Sequence, residues 1–133
     1  MKFVALSLAV FLLFACGSRS SDESQVRALI ANAENAAEAR DTSDVLDVIA
    51  ADYTDSQGFD RAQLRNFLRV YFLANPRIEL LARVQDLQFP VDGLARARID
   101  LTVLPAGDRV TLDVEFRRQE NRWLVARADR LRE

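Results

Sequence analysis

Asp52-Tyr53-Thr54-Asp55 sets two carboxylates around a phenol. A carboxylate drawn out of water rises in pKa and becomes usable as a base, and a tyrosine beside it can donate to a developing oxyanion. Tyr71 is a second phenol of this kind. Asp52, Tyr53, Asp55 and Tyr71 are therefore the candidates for proton-transfer chemistry. A structural account of the same residues is favoured: loop aspartates accept from nearby backbone N–H groups, and tyrosines anchor cores with their rings. Asp100 and Asp113 form another possible pair, facing each other if the strands meet as their alternation suggests. Close carboxylates split their pKa values and can divide acid and base roles. With Arg98 and Arg127 beside them, a neutralised surface cluster is the favoured reading.

The chain has no histidine and one cysteine, Cys16. The commonest general base and the commonest zinc ligand are missing. A Cys/His metal site or a Ser-His-Asp triad is excluded. No metal and no cofactor is expected.

Cys16 stands one residue beyond an apolar run, Phe3 to Phe14, interrupted by Ser7. That run is too short for a spanning helix, which needs about 20 apolar residues, and suits a secretory signal core. Leu13-Phe14-Ala15-Cys16 resembles the bacterial lipoprotein box. The resemblance implies cleavage before Cys16, lipid on its sulfur and acylation (palmitate) of its new amine. Residues 1–15 are thus expected as signal peptide, 16–24 as lipidated cysteine and flexible tether (GSRSSDES), and 25–133 as the folded domain. Several acyl chains give a stable anchor where one does not, so a lipid bilayer is the first expected partner. Gly17, where an Asp would favour inner-membrane retention, points to the outer membrane, facing the periplasm.

With 133 residues and a leader to lose, the chain suits one domain with one core. The formal charge is −2, and losing Lys2 with the leader makes it one unit more negative. There is no basic excess to neutralise phosphates, so nucleic acid is not an expected partner.

These residues must be positioned by a mixed set of elements. Val26, Leu29, Ile30, Ala33 and Ala37 give an amphipathic stripe from about Asp22 to Arg40. Asp41-Thr42-Ser43 breaks it and caps a short helix to about Ala51, with Val45, Leu46 and Ile49 inward. A loop follows, with a short strand at Tyr53. Asp60 and Gln63 make a capping box for a third helix, whose buried face is Leu64, Phe67, Leu68, Tyr71 and Phe72. Asn75-Pro76 ends it. The period then changes from 3.6 to 2. Ile78 to Val84, Ala95 to Val103, Val110 to Phe116 and Trp123 to Leu131 read as strands, joined by turns at Pro105–Asp108 and Gln119–Asn121. In that register Arg98 faces Glu115 and Asp113 faces Arg127.

The order of elements, with the stretches AAEARDTSDVLDVIAADYTD, GFDRAQLRNFLRVYFLANPRIELL and NRWLVARA, resembles the nuclear-transport-factor-2-like (NTF2-like), SnoaL-like or cystatin-like cone, and more narrowly small bacterial lipoproteins with this domain. The resemblance implies an α+β fold: three helices on a curved, mostly antiparallel sheet of four to five strands. It implies a pocket in the cone, for which Phe67, Tyr71, Ala97 and Phe116 are the candidate lining and the small residues Ala82, Ala95, Ala97, Ala126 and Ala128 could leave room. It allows a homodimer through the outer sheet face, with Trp123 or Leu104 exposed in the monomer. Arg61, Arg65 and Arg69 form a stripe that could meet anionic headgroups; a solvated face paired with local acids is the favoured account. The expectation is a non-catalytic binding module for a small apolar ligand or an envelope protein. The alternative is an isomerase or dehydratase using the Asp/Tyr pair.

Overall fold

The computed structural model describes residues 15–131. Most of the expected leader, and the side chain of Cys16, lie outside the described residues. The elements are α1 (Ala15–Glu38), α2 (Thr42–Asp47), α3 (Arg61–Ala74), β1 (Glu79–Val91), β2 (Leu94–Leu104), β3 (Asp108–Gln119) and β4 (Arg122–Arg130). The strands form one antiparallel meander in the order β1-β2-β3-β4. The α+β layout of three helices on a four-stranded sheet is the expected one. No described helix is long and apolar enough to cross a membrane.

α1 begins earlier than its apolar stripe. The stretch 17–24, expected as a flexible tether, is helical. Pairs one turn apart brace it: Gln25 donates to Ser21 at 3.2 Å and Arg27 meets Glu23 at 3.1 Å. Asp22 is held by Arg118 of β3 at 3.2 Å, which ties this end of the helix to the sheet. At the other end Arg40 turns left-handed (φ 55°), and the Asp41 side chain accepts from Asp44 N–H to start α2. α2 stops at Asp47, short of the expected Ala51, because the next residues leave the helix to pair with the edge of β4. Ala50 N–H donates to Val125 O and Val125 N–H to Val48 O, both at 2.8 Å. The bridge so formed is at Ile49; the pairing expected at Tyr53 falls one residue on, between Thr54 and Asp60.

α3 carries the complete capping box. Asp60 accepts from Gln63 N–H, and the Gln63 side chain accepts from Asp60 N–H, each at 2.8 Å. Its apolar face is less covered than the sequence suggests. Phe72 is buried, Leu64, Leu68 and Tyr71 are half-buried, and Phe67 is 49 % exposed. α3 rests by one edge on Ala36, Val45, Ile78 and Val103, so part of the apolar arc has nothing over it.

β1 runs past Val84 to Val91 through an irregularity at Gln85–Gln88, where Asp86 is left-handed (φ 52°). The β2–β3 register differs from the expected one by two residues. Arg98 lies opposite Asp113, Arg96 opposite Glu115, and Asp100 opposite Thr111. The turn is centred on Pro105-Ala106: Gly107 takes φ 80° and its N–H closes on Val103 O at 2.7 Å. In β4, Arg127 lies opposite Glu115 and Asp129 opposite Asp113, with Ala126 as the extra residue of a bulge. Asp100 and Asp113 therefore do not face each other, and Asp113 does not face Arg127. The β3–β4 turn is a two-residue one, with Glu120 (φ 50°) and Asn121 (φ 62°) both left-handed.

The main core joins Val26, Leu29 and Ile30 of α1 to Tyr53, Ala95, Ala97, Ile99, Val114, Phe116, Trp123 and Val125. A smaller cluster lies under α3. No described core residue precedes Val26, so a chain starting at residue 17 keeps both clusters. Trp123 is 4 % exposed, with Phe89 edge-on and the Arg118 guanidinium above its ring. It is a core residue, not the exposed dimer contact the sequence reading gives it as; Leu104 is half-buried. The outer sheet face instead carries the pairs Arg96–Glu115, Arg98–Asp113 and Arg127–Asp129.

Candidate functional site

The 52–55 segment runs along the edge of β4, where Tyr53 and Asp55 bond to each other and Asp52 turns away from them. Tyr53 is 2 % exposed, with its ring in the main core. Its hydroxyl donates to Asp55 Oδ2 at 2.8 Å and stands 3.5 Å from Ala128 O. Asp55 Oδ1 accepts from Gln57 N–H at 2.9 Å and Phe59 N–H at 3.1 Å. Both oxygens of Asp55 are thus turned onto its own loop, an aspartate turn that folds 55–59 back on itself. Burial, then the bond to Asp55 and the charges of Asp55 and Asp129, push the Tyr53 phenol well above its ordinary 10.0. It is a neutral donor with its proton already placed. Asp52 is exposed, and both of its oxygens accept from the one nitrogen Arg117 Nη2, each at 3.1 Å.

Asp129 completes this clasp. Its Oδ1 accepts from Ser56 N–H at 2.8 Å and its Oδ2 meets Arg127 Nε at 2.5 Å. Burial opposes its charge, but the Arg127 guanidinium and the Ser56 N–H outweigh that and hold the carboxyl below its ordinary 3.8. The loop and the end of β4 are locked together by charged and neutral hydrogen bonds, and both oxygens of Asp55 already accept within the loop. Asp100 is likewise engaged, accepting from Gln85 Nε2 at 2.6 Å and Thr111 Oγ1 at 2.8 Å.

The four expected pocket residues fall in two places, Phe67 and Tyr71 stacking on each other along α3 with ring centroids 6.0 Å apart, and Ala97 and Phe116 in the main core. Tyr71 flanks the smaller cluster, and Phe67 faces outward. Burial, then the Asp108 charge, raises the Tyr71 phenol above its ordinary value. Of the small residues expected to leave room, Ala95, Ala97 and Ala126 are themselves packed in.

The open half of the cone lies elsewhere. A groove of about 1210 Å³ runs between α1 and the middle of the sheet. Leu80, Ala82, Leu101 and Val110 contribute an aliphatic floor, and Glu34, Gln57, Arg109 and Arg130 are among its polar edges. The floor follows from alternation: Leu101 shares its face with the buried Ile99 and Val103, and Val110 shares its face with Val114 and Phe116. Burial, then the neighbouring Glu38, raises the Glu34 carboxyl above its ordinary value. Ala82 is the one pocket-forming alanine of the sequence reading that lines this groove. Leu101 and Val110 carried no separate signal, since nothing in their alternation distinguishes a covered position from an open one.

Solved structures share this architecture over most of its length. A domain of unknown function with a cystatin-like fold from Nostoc punctiforme matches with a TM-score of 0.69 at 16 % identity, over 86 % of this chain and 78 % of that one. An NTF2-like protein of unknown function from Pseudomonas putida matches at 0.68 and 19 % identity, over 84 % and 86 %. The fold is the NTF2-like cone. A protein of unknown function from Mycobacterium tuberculosis has the same cone, at 0.70 and 16 % identity, over 92 % of this chain and 78 % of that one. Identities this low carry the fold alone. No family model and no curated protein matches the sequence.

Proposed function

We propose that this chain is a lipid-anchored, non-catalytic binding protein of the bacterial envelope. It is acylated on Cys16, faces the periplasm from the outer membrane, and holds a small apolar molecule in the open half of its NTF2-like cone. The observation that carries the binding role is the groove of about 1210 Å³ with Leu80, Ala82, Leu101 and Val110 on its floor. The aliphatic floor would take a ligand's apolar part, and the more numerous polar residues around it, among them Glu34, Gln57, Arg83, Asp100, Arg109 and Arg130, would fix a polar end. Against catalysis stands the engagement of Asp55, whose two oxygens are taken by Tyr53 and two backbone N–H groups. The signal segment ending in Leu13-Phe14-Ala15-Cys16 supports the anchor.

Two experiments test this. Residues 17–133 should bind a fluorescent fatty acid, and Ala82→Trp, which puts a large ring into the groove, should weaken binding about tenfold or more, or about 1.4 kcal/mol, in a variant that still unfolds cooperatively. No binding, or equal binding by the variant, would count against the groove. In cells, the protein should partition into detergent and Cys16→Ser should move it to the aqueous phase; a variant that stays in detergent would remove the anchor.

A further inference from the structure

α3, RAQLRNFLRVYFLA, holds three arginines and no acid, in a chain whose overall charge is negative. Most other arginines of the sheet are spent: Arg96, Arg98, Arg117, Arg118, Arg122 and Arg127 each meet a carboxylate. Among the described residues, Arg65 and Arg69 meet none, and Arg61 donates to Leu46 O at 2.9 Å. The three recur at every fourth position and so lie along one flank of the helix. They border a small cleft of about 250 Å³ against α2, closed by Thr42, Ser43 and Leu46.

Beside that flank lies the uncovered part of the apolar arc. Phe67, Val70 and Leu73 recur at every third position and are 49 %, 67 % and 84 % exposed. A helix with aliphatic and aromatic side chains on its outward face, and arginines along the margin, has the make-up of one that lies in a lipid interface. We propose that α3 docks on an anionic bilayer surface: Arg65 and Arg69, with Arg61, take headgroup phosphates at the cleft beside α2, while Phe67, Val70 and Leu73 enter the boundary between headgroups and acyl chains. Guanidinium groups pair with phosphate oxygens in two-pronged fashion. A free phosphate ion would need the arginines and have no use for the apolar residues. A second copy docked isologously on the same face would bring its own arginines against these. The face shares no residue with the groove and does not use Cys16, so it stands or falls separately from both.

The test uses residues 17–133, which carry no lipid, and co-sedimentation with vesicles. The chain should sediment with an equimolar mixture of phosphatidylglycerol and phosphatidylcholine, and not with phosphatidylcholine alone. Added salt should release it, because exposed charges are screened within about 10 Å at 0.1 M. Arg65→Gln with Arg69→Gln should weaken binding about 30-fold, at about 1 kcal/mol for each arginine at an anionic surface. Val70→Ser with Leu73→Ser should also weaken it, and at 67 % and 84 % exposed these two positions leave the fold in place. Equal sedimentation with both vesicle types, none with either, or wild-type binding by the arginine variant would overturn the proposal. Protection of the protein by inorganic phosphate without vesicle binding would make the cleft a free-anion site and overturn it too.

Discussion

Replacing Asp55 by alanine removes the acceptor of three hydrogen bonds, from Tyr53 Oη, Gln57 N–H and Phe59 N–H. The Tyr53 hydroxyl is left with only the distant Ala128 carbonyl. At about 1 kcal/mol for each bond, Asp55→Ala should lose about 2–3 kcal/mol of stability in urea unfolding. Asp55→Asn, which keeps an oxygen for the two backbone donors, should lose less than half of that. Equal losses would show that the aspartate turn is not what the carboxylate holds. Asp129 adds a pH dependence. Its carboxyl titrates lower in the folded chain than the ordinary 3.8, so the unfolded chain takes up the proton first as pH falls. Its stabilisation is complete above 3.8 and disappears as pH drops through the lower folded value. Asp129→Asn should flatten the acid limb of a stability–pH curve; an unchanged limb would assign the loss to other carboxylates. The structural role of Asp55 was legible because an aspartate in a polar loop has nearby N–H groups to accept from. The fates of Asp100 and Asp113 were not, because a shift of two residues keeps every side chain on its face and leaves the alternation unchanged.

At the scale of elements, the turn between β3 and β4 stores local strain. Glu120 and Asn121 both sit at positive φ, which Asn adopts readily but which costs Glu120 about 1 kcal/mol. Two-residue turns of this hand prefer Asn-Gly. Glu120→Asn with Asn121→Gly should therefore stabilise the protein by about 1 kcal/mol, seen as a higher urea midpoint with unchanged slope; a lower midpoint would mean the turn tolerates Glu120 through contacts of its own. Sequence periodicity located all three helices and all four strands, since caps and alternation are local signals. It placed the α1 start too late, because that turn is held from outside by Arg118 of β3, far along the chain. It buried Phe67 because a helical period reports which arc is apolar and says nothing about what covers it. That uncovered arc is the origin of the docking face proposed for α3.

For the molecule as a whole, the cone divides its concave face in two. One half is filled by α1 side chains packed on Ala95, Ala97, Phe116 and Trp123. The other half stays open over Leu80, Ala82, Leu101 and Val110. Small inward residues were read as space, yet Ala95 and Ala97 are packed into the core with Val26, Leu29 and Ile30 of α1. The space lies where α1 carries Glu34 rather than a large apolar residue. This division is the basis of the central claim, that the cone is a binding vessel. The most direct measurement is native mass spectrometry of residues 17–133, exported to the periplasm of a related bacterium and purified gently. The account predicts a species carrying an extra small apolar mass, and its loss in Ala82→Trp. A wild-type chain that emerges bare, and stays bare after incubation with total envelope lipid, would contradict it.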